Sequence, residues 1–263
     1  ITVILILKLM KKREYLPWSI KNFKPSLKVL VDIYTVAIPS TIMEILGVVV
    51  MVLLNRVVAG FGITFLAALG IFLRIRSLFF MSVYGLSQGT LPIAGFAYGA
   101  RKYDRVKETI IKSSVISLIF TVTSWIIIQL YPIQIMGFFS NDIELIQIGV
   151  NCMRLATIFL PVMGPIIIFY TVLQAMGKGM TAMWLSIIRQ GVLFLPLFII
   201  LPRYIGINGV WWSFSLSEML SALLTAFFLI IVWRELQTRR KLGVIMLFKP
   251  QFLWNRIAAW LKW

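Results

Sequence analysis

The chain has 263 residues, 60% hydrophobic and 13% charged, with a mean hydropathy of +0.94; a soluble domain carries about 25% charged residues, so this one belongs in a bilayer. Its formal net charge of +17 would indicate nucleic acid in a soluble protein, but a multi-pass membrane protein gathers Lys and Arg in its cytoplasmic loops, so no nucleic-acid partner is implied. With no histidine and one cysteine, Cys152, a disulfide framework is excluded and zinc or triad chemistry loses its usual participants.

Residues 1–9, ITVILILKL, are too few to span a core about 30 Å thick, and we read them as the tail of a helix whose beginning is missing. Residues 10–32 form a basic cytoplasmic linker carrying Lys11, Lys12, Arg13, Lys21, Lys24 and Lys28. Six apolar runs follow at about 33–59, 64–98, 110–131, 145–175, 181–201 and 209–233. Each exceeds or approaches the roughly 20 residues a helix needs to cross. Residues 33–236 are therefore expected to form a six-helix lobe, and 237–263 a basic cytoplasmic tail. Within that tail Leu253, Ile257, Trp260 and Leu261 share a helical face, as in a short helix lying among lipid headgroups.

The basic residues orient these spans. Of the 26 Lys and Arg, twenty fall in the loops and tails of one side, only Arg203 lies on the other, and Arg56, Arg74, Arg76, Arg154 and Arg189 lie inside spans. Both ends are thus expected in the cytoplasm.

Ionisable groups inside a span cost several kcal/mol unless they pair or face water. At a 1.5 Å rise, Glu44 lies about 17 Å and Glu218 about 14 Å into their helices, with Arg74, Arg154 and Arg189 at roughly 12–15 Å. Helical spacing aligns Glu44 with Ser40, Gly47, Met51 and Asn55. It aligns Arg74 with Ser77, Met81, Gln88 and Pro92, and Arg154 with Asn151. Glu44, Asn55, Arg74, Gln88, Asn151, Arg154, Arg189 and Glu218 are accordingly the candidate residues of an ion-coupling or substrate cavity. Glu44 is the first choice for coupling, by exchanging a proton or by holding sodium with nearby oxygens. Arg56 and Arg76 are read as structural or snorkelling. The bland alternative for each charge is an ion pair that fixes helix packing.

Residues 85–105, GLSQGTLPIAGFAYGARKYDR, combine Gly85, Gly89, Gly95 and Gly99 with Pro92 inside an apolar run and an abrupt basic end. Small residues let membrane helices approach closely, and Pro92 lacks an amide hydrogen and is expected to kink its helix.

This stretch resembles the eighth helix and following loop of the multidrug and toxic compound extrusion (MATE) family of secondary transporters. Residues 173–196 and 206–217 resemble two later helix connections of that family, in the right order. The resemblance runs from about residue 31 to 236 and covers one half of a full-length member. It implies one lobe of a two-lobed, 6+6 helix transporter that exports drug-like molecules by proton- or sodium-coupled antiport. Such a protein needs no other cofactor and no catalytic residue. The setting would be a bacterial plasma membrane with the C-terminus inside, and the partners would be lipid and either the missing N-terminal lobe or a second copy. The resemblance supports Glu44 as the coupling residue and makes Pro39, Pro92, Gly95 and Gly99 candidates for the conformational change. A flippase for lipid-linked oligosaccharide and a non-transporting membrane scaffold remain as alternatives. An enzyme is not expected, since no Gly-rich phosphate loop or acidic pair lies within a span.

Overall fold

The computed structural model describes residues 26–247. The truncated helix at 1–9, most of the 10–32 linker and the interfacial helix around 253–261 lie outside the described residues. The chain divides into two compact units at Ile38 and Pro39. The first contributes only the N-terminal turns of helix α1 to the description, and the second holds everything that follows.

Every regular element among the described residues is helical: α1 Leu27–Ala59, α2 Ile63–Gly99, α3 Tyr103–Leu130, α4 Pro132–Phe139, α5 Ile143–Ala156, α6 Leu160–Ala175, α7 Gly179–Ile187, a π-helical segment Ile188–Phe194, α8 Leu195–Ile205 and α9 Ile207–Leu247. Backbone amides in hydrocarbon must be satisfied within the segment, which selects helix for every crossing. Five spans are long and apolar enough to cross, at Ala37–Ala59, Ile63–Gly99, Tyr103–Leu130, Gly179–Ile205 and Ile207–Thr238. The pair α5 and α6, bent by 56° at a short break, is long and apolar enough only when taken together, and counts as a sixth if it is one broken span. This is a multi-pass, all-helical membrane protein, as the apolar runs indicate.

Several boundaries differ from the sequence-based expectation. The third helix begins at Tyr103, so Asp104, Arg105, Lys107 and Glu108, expected ahead of the span, lie in its first two turns. The fourth run is broken at 157–159, just before Pro161, which starts α6. Thr121 on α3 donates to the Pro161 carbonyl at 2.8 Å and ties the bend to its neighbour. By contrast α2 runs as one helix through Pro92.

Packing relies on small and hydroxyl residues, because lipid competes equally for apolar side chains. Helix α3 turns Ser113, Ser117, Thr121 and Ser124 inward, all buried. Across from it, Gly164 brings α6 so close that a Cβ there would stand 2.8 Å from the Ser117 carbonyl oxygen. Gly85, Gly89 and Gly99 have nothing within 4 Å of such a position, and Gly95 meets only the Ala175 carbonyl at 3.5 Å. Close approach is therefore made at Gly164, and at Gly149 and Gly209, while most of the glycines in the 85–99 stretch face open space.

The interior comprises two apolar clusters. One joins α1, α2, α5, α6, α8 and α9 around Leu54, Phe72, Met153, Leu160, Phe198 and Trp211. The other holds α2, α3, α6, α7 and α9 together around Ala94, Val106, Leu173, Leu185 and Leu236. Beside the second, Lys178 pairs with Glu235, and Lys107 lies 5.0 Å above the Trp233 ring.

Candidate functional site

Helix α2 packs closely on α3, α5 and α6, and α9 on α5, α6, α8 and the π segment, but α2 and α9 are not a closely packed pair. Long side chains bridge the gap between them. There the structure holds a cavity of about 340 Å³, within the size range of small-molecule sites. Met51, Ser77 and Tyr84 at its margin are exposed, so it opens on the surface of the lobe.

Two pairs at helical i, i+4 spacing face each other across it. Helix α2 supplies Arg76 and Phe80, and α9 supplies Phe214 and Glu218. The Arg76 guanidinium donates to Glu218 Oε1 at 2.7 Å and lies 5.5 Å from the centroids of both phenyl rings. Phe214 is fixed in turn by Phe72, edge-on at 5.7 Å, and by Phe194 at 5.0 Å. The Glu218 side chain is 4% exposed and that of Arg76 19%, so the cation is the more open partner of the pair. Glu218 Oε2 is buried and has no hydrogen-bond partner.

The third charge is Arg189, which lies close enough to act electrostatically on Glu218. Among the described residues no carboxylate oxygen comes within 4 Å of its nitrogens, and its buried Nε is unpartnered. It sits in the π-helical segment, where the looser turn brings consecutive Arg189 and Gln190 to the cavity wall together. Gln190 Nε2 donates to Ser186 Oγ at 3.1 Å. Gly47 on α1 faces Gln190, whose Oε1 would stand at ordinary contact distance, 3.7 Å, from a Cβ there. Beyond Glu218 the same face of α9 carries Ser221 and Thr225, both buried and without a partner. Other hydroxyls in these helices, such as Thr90 and Ser124, donate to the carbonyl four residues back.

Of the residues expected from sequence, Arg189 and Glu218 line this cavity and the remaining six do not. Glu44, Arg74, Gln88, Asn151 and Arg154 are exposed, and Asn55 is half-buried on α1. Asn151 bonds Asn208 at 2.7 Å. Among the conformational candidates Pro39 is buried, Gly95 half-buried, and Pro92 and Gly99 exposed. Arg76, read from sequence as structural or snorkelling, is the direct partner of Glu218. Its i, i+4 relation to Phe80, matched by Phe214 and Glu218, is the signal that identifies it. Among the described residues no three His, Cys, Asp or Glu side chains converge, so sodium at Glu44 would take most of its ligands from hydroxyl and carbonyl oxygens.

Residues 39–200 match the family model MatE. The chain belongs to the MatE family. Similar relatives include the multidrug export protein MepA of Staphylococcus saprophyticus and of Staphylococcus haemolyticus. Each is 28% identical over 219 residues, covering 83% and 82% of this chain and 48% of the relative. Among solved structures, a MOP superfamily transporter from Pyrococcus furiosus, described as having a binding pocket of reverse polarity, superposes with a TM-score of 0.80 at 23% identity. That match covers 89% of this chain and 54% of the other. An outward-facing multidrug resistance MATE transporter superposes at 0.81 and 22% identity, over 90% and 54%. These likenesses establish the helical fold. The MatE chain described here spans about half the length of the curated relatives it matches.

Proposed function

We propose that this chain is the C-terminal lobe of a secondary transporter that exports drug-like molecules across the bacterial cytoplasmic membrane in exchange for protons or sodium. The observation that carries the reading is Glu218, a carboxylate 3% exposed at the wall of an open cavity in a membrane span. A charge there is costly unless it has work to do. In this reading Glu218 is the coupling group, alternately held by Arg76 and released to the coupling ion, and Ser221 and Thr225 extend its polar face along α9. The family resemblance and the export names of the relatives support the direction of transport.

A cavity open on one side needs a second wall. Glu44 on α1 and Arg74, Ser77 and Gln88 on α2 are exposed at depths where lipid would not tolerate them. We assign this polar face to contact with an N-terminal lobe or a second copy, the two halves rocking to open the cavity to either side in turn. The charge bias supports cytoplasmic placement of both ends. Dye efflux from vesicles bearing this chain with a matching N-terminal lobe, under an imposed proton or sodium gradient, tests the reading. Efflux that needs both halves and a gradient is the expected result.

Arg189 favours a second reading, a flippase for lipid-linked oligosaccharide, because an uncompensated guanidinium suits a phosphate. Saturable binding of a phosphorylated polyprenyl lipid, lost in Arg189→Gln, would distinguish it.

A further inference from the structure

Two of the three charges in the cavity are arginines, a lining that by charge alone would repel a cationic guest. The surroundings of Arg76 resolve this. Its guanidinium lies over Phe80 and Phe214, 5.5 Å from each ring centroid, and against Glu218 at 2.7 Å. Aromatic faces backed by a desolvated carboxylate are what organic cations bind. We propose that Arg76 is a built-in occupant of a cation site formed by Phe80, Phe214 and Glu218, and that a cationic cargo binds by displacing it. This rests on the reading of the cavity as a transport site and adds how its cargo is admitted.

Three features support displacement over a static pair. The arginine is the more exposed partner, so an entering cation meets Arg76 before Glu218. Glu218 Oε2 is buried and unpartnered, so Arg76 leaves half of the carboxylate's accepting capacity unused and does not hold it bidentately. The guanidinium rides on a flexible stem beside about 340 Å³ of space, into which it can swing.

The exchange replaces one aromatic and ionic contact by another, so its balance depends on charge and fit more than on directed hydrogen bonds. A site working this way accepts many cations weakly and none tightly. Arg189 adds to the effect. Once cargo occupies the cage, three positive groups share one carboxylate, and repulsion drives Arg76 outward.

The test is binding of benzyltrimethylammonium, a cation with a permanent charge and no donor, to the purified full chain in detergent by calorimetry. Removing the occupant in Arg76→Gln should tighten binding about tenfold, as expected when a desolvated cation–π contact no longer competes. Glu218→Gln should weaken it about tenfold or more. Equal or weaker binding by Arg76→Gln would overturn the proposal. If that variant does not fold, Arg76→Lys decides, since lysine keeps the charge but fits the rings and carboxylate less well. Tightening of about threefold supports displacement, and unchanged binding overturns it. Binding that ignores Arg76 while the two-lobed protein still exports dye would sink this proposal alone. No binding in any variant, with no export, would sink the transport reading with it.

Discussion

Arg76 and Glu218, 142 residues apart in sequence, meet at 2.7 Å across a gap that their helices do not close. The pair joins the second span to the last through side chains alone. It is therefore a joint that can open without unpacking a helix interface.

Removing one partner should expose how much the joint holds. Glu218→Leu leaves the guanidinium without its carboxylate in low dielectric and should lower unfolding stability by about 2–4 kcal/mol. The double replacement Arg76→Met with Glu218→Leu should be near neutral, because no charge is stranded. Denaturation in micelles, followed by tryptophan fluorescence, measures both.

Gly164 marks the tightest approach of α6 to α3. Gly164→Val must push against the Ser117 carbonyl and should cost about 1–3 kcal/mol. Gly70→Ala, where nothing lies within 4 Å, should be neutral or slightly stabilising. Melting temperatures of the two variants in the same detergent provide the comparison.

The turns after α2 and α6 end their helices alike. Lys102 N donates to Ala97 O and Lys178 N to Leu173 O, each at 2.9 Å, with Arg101 at φ 58° and Gly177 at φ 75°. Only the second has the residue that tolerates this backbone. Arg101→Gly should raise stability by about 1 kcal/mol and Gly177→Ala should lower it by a similar amount, read as opposite shifts in melting temperature.

Membrane sidedness can be read with a membrane-impermeant maleimide. Cys152 is fully buried and should stay unlabelled in the folded protein. Cysteines placed at the exposed positions Lys102 and Asn141 should label from opposite faces, the first only from the cytoplasm and the second only from outside.

The five unbroken spans were legible because an apolar run long enough to cross a bilayer has few alternatives. The break at 157–159 was not, since Ile158 and Phe159 are as apolar as their surroundings, no glycine marks the turn, and a proline such as Pro161 is common inside membrane helices. Glu218 and Arg189 stood out because ionisable residues are rare in spans. Arg76 did not, because in lipid the inward and outward faces of a helix are equally apolar, as exposed Leu78 and buried Phe72 illustrate, and spacing alone cannot orient it. The alignment of Arg74, Ser77, Met81 and Gln88 was readable as a single face, and all four are exposed. That Arg74, Met81 and Gln88 lie outside the cavity of the lobe, with only Ser77 reaching its margin, required the neighbouring helices to be seen.

The most direct measurement is gradient-driven dye efflux by this chain combined with a matching N-terminal lobe, comparing wild type with Glu218→Gln and Glu44→Gln. If Glu218 couples the ion to the cargo, Glu218→Gln should reduce efflux about tenfold or more and remove its dependence on the gradient, while Glu44→Gln remains driven. Driven efflux at the wild-type rate in Glu218→Gln, or its loss only in Glu44→Gln, would contradict the account.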